Sequence, residues 1–188
     1  MPNLEELALE AGRGDRDAFE RLVQRAQAPV WRYAYHLTRS RELADEAAQE
    51  TWLRAIRALP RFRGDAAVVT WLLTIVRRVV ADLLESTRRE QPYAAPPAPQ
   101  PGTGFVDLQL ALAGLPRPLR ETLVLTQVLG MSYAETAAIT GTRVGTVRSR
   151  VFRARAALME ALREGRGSTR RETARPGNTT RGAERDEL

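Results

Sequence analysis

The sequence predicts an all-α protein of two small helical domains joined by a Pro-rich linker, and three observations carry that prediction. Apolar residues recur at three- and four-residue spacing in both halves, and the alternation of a half-buried strand is absent. Gln91 to Gly104 reads QPYAAPPAPQPGTG, with five prolines and two glycines, a composition that keeps a chain extended. From Gly165 onward hardly an apolar residue remains, so that segment has little to bury. The expected organisation is a three-helix domain over 1–90, a linker over 91–105, a helix-turn-helix domain over 106–164 and a disordered tail over 165–188.

In the first domain, Asp17 followed by Glu20 has the spacing of a capping box. Phe19, Leu22, Val23 and Ala26 then share one face, which Val30, Tyr33, Ala34 and Leu37 continue. Pro29 between them should bend the helix or start a new segment. A second helix is expected from Arg41 to Leu59, with Leu43, Ala47, Ala48, Thr51, Trp52, Ala55, Ile56 and Leu59 as its apolar stripe. A third runs from Ala67 to Ser86 along Val68, Trp71, Leu72, Ile75, Val76, Val79 and Leu83. Three such seams pack as a small bundle, and core packing is the expected place of Trp31, Trp52 and Trp71.

The second domain should hold four shorter helices, near Val106–Ala113, Pro118–Leu129, Tyr133–Ile139 and Val144–Arg163. Gly114-Leu115-Pro116, Gly130-Met131-Ser132 and Thr140-Gly141-Thr142 separate them. Ser132 with Glu135 marks a helix start. A short capped helix, a glycine turn and a longer arginine-bearing helix form a helix-turn-helix.

Composition narrows the chemistry. The chain has 188 residues, no cysteine, one histidine (His36) and a net charge of +6, all 29 of its basic residues being arginine. Disulfides and cysteine-ligated metals are excluded, and one histidine leaves almost nothing for a histidine metal site or triad. The expectation is no metal, no cofactor and no enzymatic activity. The acidic start lacks the apolar core of a secretory signal. No apolar run approaches the roughly 18–20 residues that span a bilayer. A cytoplasmic protein without membrane insertion follows. The charge is unevenly placed: residues 1–89 carry 15 arginines against 13 acids, residues 106–163 carry 8 against 4. Net positive charge suits nucleic acid.

Three constellations could carry function. On the last helix, at 100° per residue, Val147, Val151, Ala154 and Leu158 fall on one side. Ser149, Phe152 and Ala156 fall on the other, flanked by Arg148 and Arg153. Arginine bonds guanine bidentately and an apolar ring can meet a thymine methyl. A solvated charged helix would share this pattern, yet Arg143 to Arg163 holds six arginines against Glu160 alone, and an exposed phenylalanine calls for a partner.

The second constellation is acidic. Glu42, Asp45, Glu46, Gln49 and Glu50 fall within nine residues with no arginine between them. They suit either a solvated surface or a docking face for a basic protein. Paired carboxylates also occur in glycosidases, but nothing else here completes a catalytic cleft. In the third constellation, Arg61, Phe62 and Arg63 precede the Trp71 helix, on which Arg77 and Arg78 are expected to face away from Trp71. Arginines interleaved with aromatics suit single-stranded nucleic acid, and Phe62 is expected to be exposed.

These runs together resemble the bacterial sigma factors of the compact extracytoplasmic-function (ECF) group, which keep only the region 2 and region 4 domains. The matching strings are Ala44-Asp45-Glu46-Ala47-Ala48-Gln49-Glu50-Thr51-Trp52-Leu53-Arg54-Ala55, Pro60-Arg61-Phe62-Arg63, Thr70-Trp71-Leu72-Leu73-Thr74-Ile75, and Val144-Gly145-Thr146-Val147-Arg148-Ser149-Arg150-Val151-Phe152-Arg153-Ala154-Arg155. The likeness spans Asp15 to Leu162. It implies a region 2 domain that binds the RNA polymerase core, through the β′ clamp helices, with Glu42, Asp45, Glu46, Gln49 and Glu50. It implies capture of the melted −10 strand by Arg61, Phe62, Arg63, Trp71, Arg77 and Arg78. It implies reading of the −35 duplex by Arg143, Thr146, Arg148, Ser149, Phe152 and Arg153. Contact with the β subunit and control by an anti-sigma factor are also implied. Arg78 stands where many members carry asparagine, and Trp52 where many carry phenylalanine. A stand-alone helix-turn-helix regulator is the other function these residues would serve; it has no use for an acidic docking face beside a basic single-strand surface.

Overall fold

The computed structural model describes residues 2–90 and 104–172, and every regular element among them is helical. The proline-rich stretch 91–103 and residues 173–188 lie outside the described residues. The first domain contains α1 (Leu4–Gly12), α2 (Arg16–Thr38), α3 (Arg41–Ala58), a short 3-10 turn (Leu59–Arg61) and α4 (Val68–Glu90). The second contains α5 (Gly104–Gly114), α6 (Arg117–Leu123) with a π-helical turn at Val124–Val128, α7 (Tyr133–Thr140) and α8 (Val144–Glu172).

α1 is an element that periodicity did not reveal, because two and a half turns are too short to show a stripe. It is set by a reciprocal capping box. The Asn3 carboxamide accepts from the Glu6 amide at 2.7 Å, and the Glu6 carboxylate accepts from the Asn3 amide at 2.9 Å. Leu7 and Ala8 are fully buried in a cluster with Ala18, Leu22, Leu59 and Val68. The approach is tight at Gly12, where an added Cβ would lie 2.6 Å from the Leu59 carbonyl oxygen. Backbone cannot rotate away as a side chain can. Gly12→Ala is therefore expected to destabilise the first domain by about 1–3 kcal/mol, measured by urea denaturation; an unchanged midpoint would refute the close approach.

α2 starts two residues earlier than the Asp17–Glu20 spacing suggested. Asp15 is the cap, its carboxylate accepting from the Ala18 amide at 3.0 Å, and Asp17 falls in the first turn, where its charge complements the helix dipole. Nor does Pro29 divide the helix, which continues to Thr38. Ala26 before it and Val30, Tyr33 and Ala34 after it are all fully buried, and that packing outweighs the roughly 3 kcal/mol a mid-helix proline costs. Ser40 caps α3 through the Leu43 amide. The buried side of α3 is Ala44, Ala47, Thr51 and Ala55, a rotation of the stripe expected from sequence: Ile56 is 48% exposed and Leu53 is 51% exposed. Small residues on this side let α3 lie close to α2.

In the second domain the helix expected over Pro118–Leu129 ends in a wider π turn, where the Leu129 amide reaches the Val124 carbonyl at 3.0 Å. Ser132 and Glu135 form the reciprocal box that starts α7. Gly141 ends α7 with φ 66°, ψ 35°, a left-handed geometry that suits glycine. α8 then continues past Gly165 to Glu172. The two domains are packed together: Val124, Leu125 and Ile139 belong to one core cluster with Tyr33, Leu72, Val76 and Val80.

Candidate functional site

The structure places the three sets of candidate residues on three separate parts of the molecule. The acidic set lies on the outer side of α3. Glu42, Asp45, Glu46 and Gln49 are exposed and Glu50 is half-buried. Three are locally engaged: Trp31 donates its indole N–H to Asp45 Oδ1 at 2.6 Å, Arg54 binds Glu50 at 2.7 Å and Asp82 at 2.8 Å, and Ser40 binds Glu42. The Ser40 hydroxyl, donating to Glu42 at 2.6 Å, is the main cause holding the Glu42 carboxyl below its ordinary pKa.

Beside these acids runs an apolar groove, of which sequence periodicity had put Phe19, Val23, Trp52 and Ile56 on core-facing stripes. It is lined by Phe19, Val23, Gln49, Trp52, Leu53 and Ile56, with Phe19 edge-on to Trp52 at 6.1 Å. An apolar centre with a charged rim is the anatomy of a protein-binding face. The sequence did hold a signal for it, since Leu53 and Ile56 lie three apart on a helix whose buried side is already filled by alanines.

The basic-aromatic set surrounds the start of α4. Arg61 and Arg63 are exposed, whereas Phe62 is half-buried and not free. Its ring packs at 5.1 Å against Trp71 and against the α1–α2 cluster, because the 3-10 turn folds the loop back onto the domain. Trp71 is half-buried too. Arg77 and Arg78 do not act as a pair. At 100° per residue, Arg78 returns to the angular position of Trp71 two turns on, so it does not face away, and it is exposed. Arg77 points toward the second domain instead, its Nε donating to Glu121 at 2.8 Å.

The helix-turn-helix set is as the angular pattern described it. Val147, Val151 and Ala154 are buried. Arg143, Arg148, Ser149 and Arg153 are exposed, Thr146 is half-buried, and Phe152 is 76% exposed. The Ser149 hydroxyl donates to the Thr146 carbonyl at 3.0 Å and Arg153 leans back on the Ser149 carbonyl at 3.4 Å. An apolar ring this exposed on a helix with a complete buried side is not needed for the fold.

Two groups that matter at the domain junction lacked any local signal. Glu121, on α6, is only 4% exposed and receives Tyr33 Oη at 2.8 Å as well as Arg77. Burial, followed by the Glu121 charge and hydrogen bond, pushes the Tyr33 phenol well above its ordinary pKa. Near it, His36 is held below its usual 6.5, by burial first and by the Arg120 guanidinium second. A histidine with a lowered folded pKa takes its proton more readily when unfolded. Its stabilising contribution is complete above pH 6.5 and is lost as pH falls through the lower folded value. Melting temperature is therefore expected to drop below pH 6.5, and less so in His36→Gln; parallel profiles would exclude His36 as a cause.

Among the described residues no group of histidine or carboxylate side chains could hold a metal ion, and no helix is long and apolar enough to cross a membrane. Comparison with known proteins agrees with the layout. The Sigma-70 region 2 family matches residues 22–90 and the Sigma-70 region 4 family matches residues 105–158. ECF RNA polymerase sigma factor SigC of Mycobacterium tuberculosis is 43% identical over 163 residues, covering 81% of this chain and 88% of that protein. The ECF RNA polymerase sigma-E factor of Salmonella typhimurium is 34% identical over 167 residues, covering 78% and 87%. Among solved structures, CnrH in complex with the cytosolic domain of CnrY aligns with TM-score 0.69 at 29% identity, covering 85% of this chain and 97% of that one. The sigma factor RpoE of Bartonella quintana, bound to the anti-sigma factor NepR, aligns with TM-score 0.67 at 28% identity, covering 77% and 96%. A stand-alone regulator is not favoured, since the first domain matches a sigma region in its own right. With the acidic helix, the aromatic-basic loop and the helix-turn-helix in their expected order, the chain belongs to the ECF group of RNA polymerase sigma factors, which direct transcription initiation.

Proposed function

We propose that this sigma factor divides its work among the three faces. Glu42, Asp45, Glu46, Gln49 and Glu50, with the groove beside them, dock on the polymerase core. Arg61, Phe62, Arg63, Trp71, Arg77 and Arg78 meet the separated −10 strand, with the Phe62–Trp71 pair offering aromatic surface and the arginines charge. Arg143, Thr146, Arg148, Ser149, Phe152 and Arg153 read the −35 duplex. Residues 1–90 and 106–164 are the corresponding units, with 91–105 between them. In this reading the chain works in the cytoplasm as a specificity subunit and catalyses nothing itself. An anti-sigma protein is its regulator, as in the solved complex of RpoE with NepR that it resembles.

The observation that carries this reading is the outward face of α8, where Phe152 is 76% exposed between Arg148 and Arg153. Run-off transcription tests it. Promoter-specific product should require both this chain and core polymerase, and promoter-specific binding at full strength without core would overturn it. Arg148→Ala should cost about 1–3 kcal/mol at a single promoter position if its contact is bidentate to guanine. Equal loss on every duplex would instead identify a phosphate contact.

A further inference from the structure

Four basic side chains gather where the end of α2 meets the start of α6. His36 lies in the last turn of α2 and Arg39 is its C-cap. Arg117 and Arg120 are three residues apart on α6, a spacing that puts them on one face, and α6 packs against α2. Arg120 is held in place, its Nη1 donating to the Ala113 carbonyl at 3.1 Å and the Leu115 carbonyl at 3.4 Å. Its Nε is buried with no acceptor among the described residues. Burial first, then the charges of Arg39 and Arg117, hold the Arg120 guanidinium below its ordinary pKa, and Arg120 in turn acts on His36. The four groups therefore lie within one another's field.

The cluster is short of negative charge. Among the described residues, no salt bridge joins Arg39, Arg117 or Arg120 to a carboxylate. Glu121, the one acid acting on Arg120, is already taken by Tyr33 and Arg77 at 2.8 Å each. Like charges held together repel, and a buried cationic donor without an acceptor is costly. The backbone adds a second cost. Arg39 has φ 61°, the one positive value on a non-glycine residue among the described residues, at a cap position that ordinarily favours glycine. A strained arginine at that cap puts a guanidinium where the fold alone would prefer no side chain. We propose that His36, Arg39, Arg117 and Arg120 form a binding site for a compact multivalent phosphate anion, a pyrophosphate group that is either free or carried by a nucleotide. Guanidinium forks match phosphate oxygens in pairs. Three fixed positive charges call for more negative charge than a single phosphate group carries. The set shares no residue with the acidic, −10 and −35 faces.

Calorimetric titration of the full-length protein with inorganic pyrophosphate, without magnesium, tests the site. Pyrophosphate should bind about tenfold more tightly than orthophosphate; equal affinity for the two would overturn the proposal. Arg117 is exposed, and Arg117→Gln should weaken pyrophosphate binding about tenfold. Arg39→Gly should weaken it as much while relieving the positive φ, so its melting temperature should be no lower than that of the wild type. Unchanged binding in either variant would overturn the site. Arg13→Gln removes another exposed arginine, at the end of α1, and should leave the affinity unchanged. An equal loss there would mean diffuse attraction to an arginine-rich chain and would also overturn it. Neither Arg39→Gly nor Arg117→Gln should weaken binding to a short duplex oligonucleotide. A loss matching that for pyrophosphate would assign the cluster to the DNA backbone instead and reject the proposal. Titration with adenosine diphosphate distinguishes the two sources of the group: tighter binding than pyrophosphate supports a nucleotide, weaker binding supports the free ion.

Discussion

Reversing Asp45 and Glu46 together to arginine is expected to weaken binding to core RNA polymerase by about 3 kcal/mol, a little over a hundredfold. Both side chains are exposed on the outer side of α3, so in the proposed docking role the substitution places two positive charges where the core would meet two negative ones. The cost to the fold is small. Asp45 does accept the Trp31 indole N–H, but Trp31 is only half-buried and water can take over as acceptor. Titration of labelled core with the variant gives the affinity, and thermal melting checks the fold. Lost affinity with an unchanged melting temperature supports the docking role; a matching fall in both would assign these acids to folding.

Leu125→Ala should be the most destabilising single truncation at the domain junction, at about 2–5 kcal/mol by the usual cost of emptying a buried leucine site. Leu125 has no solvent exposure. It sits in the π-helical turn of the second domain and packs into the cluster that includes Tyr33, Leu72 and Val76 of the first. Deleting it removes apolar contact from both domains at once and leaves a cavity that neither can close alone. Urea denaturation measures the loss. A cost below about 1 kcal/mol would mean that the junction relaxes around the gap and is loosely packed.

Much of the site was legible because it is local. The helix-turn-helix needs only a capping pair at Ser132 and Glu135, a left-handed turn at Gly141, and Val147, Val151 and Ala154 recurring at three- and four-residue spacing. Such features lie within one or two helical turns, and a helix converts sequence spacing directly into angular position. The outward place of Phe152 followed from that conversion alone. The acidic side of α3 was readable for the same reason. Its apolar companions were not, because Ile56 looks like a core residue and Leu53 like a lone surface one until the alanine side of α3 is seen packed on α2. The exposure expected of Phe62 failed similarly: only the fold brings its ring against Trp71, nine residues on.

By itself, then, the sequence determined the all-helical class, the helix-turn-helix and the residues of its outer face, since short-range spacing dictates each. Only the tertiary structure decided that Pro29 would be carried inside a continuous helix, that α1 would close over Leu59, and that Arg77 would pair with a buried carboxylate. The Glu121 pairs join residues 44 and 88 positions apart. No local periodicity encodes such a partner, because the free energy that buries Glu121 comes from two domains meeting and is absent from either one alone.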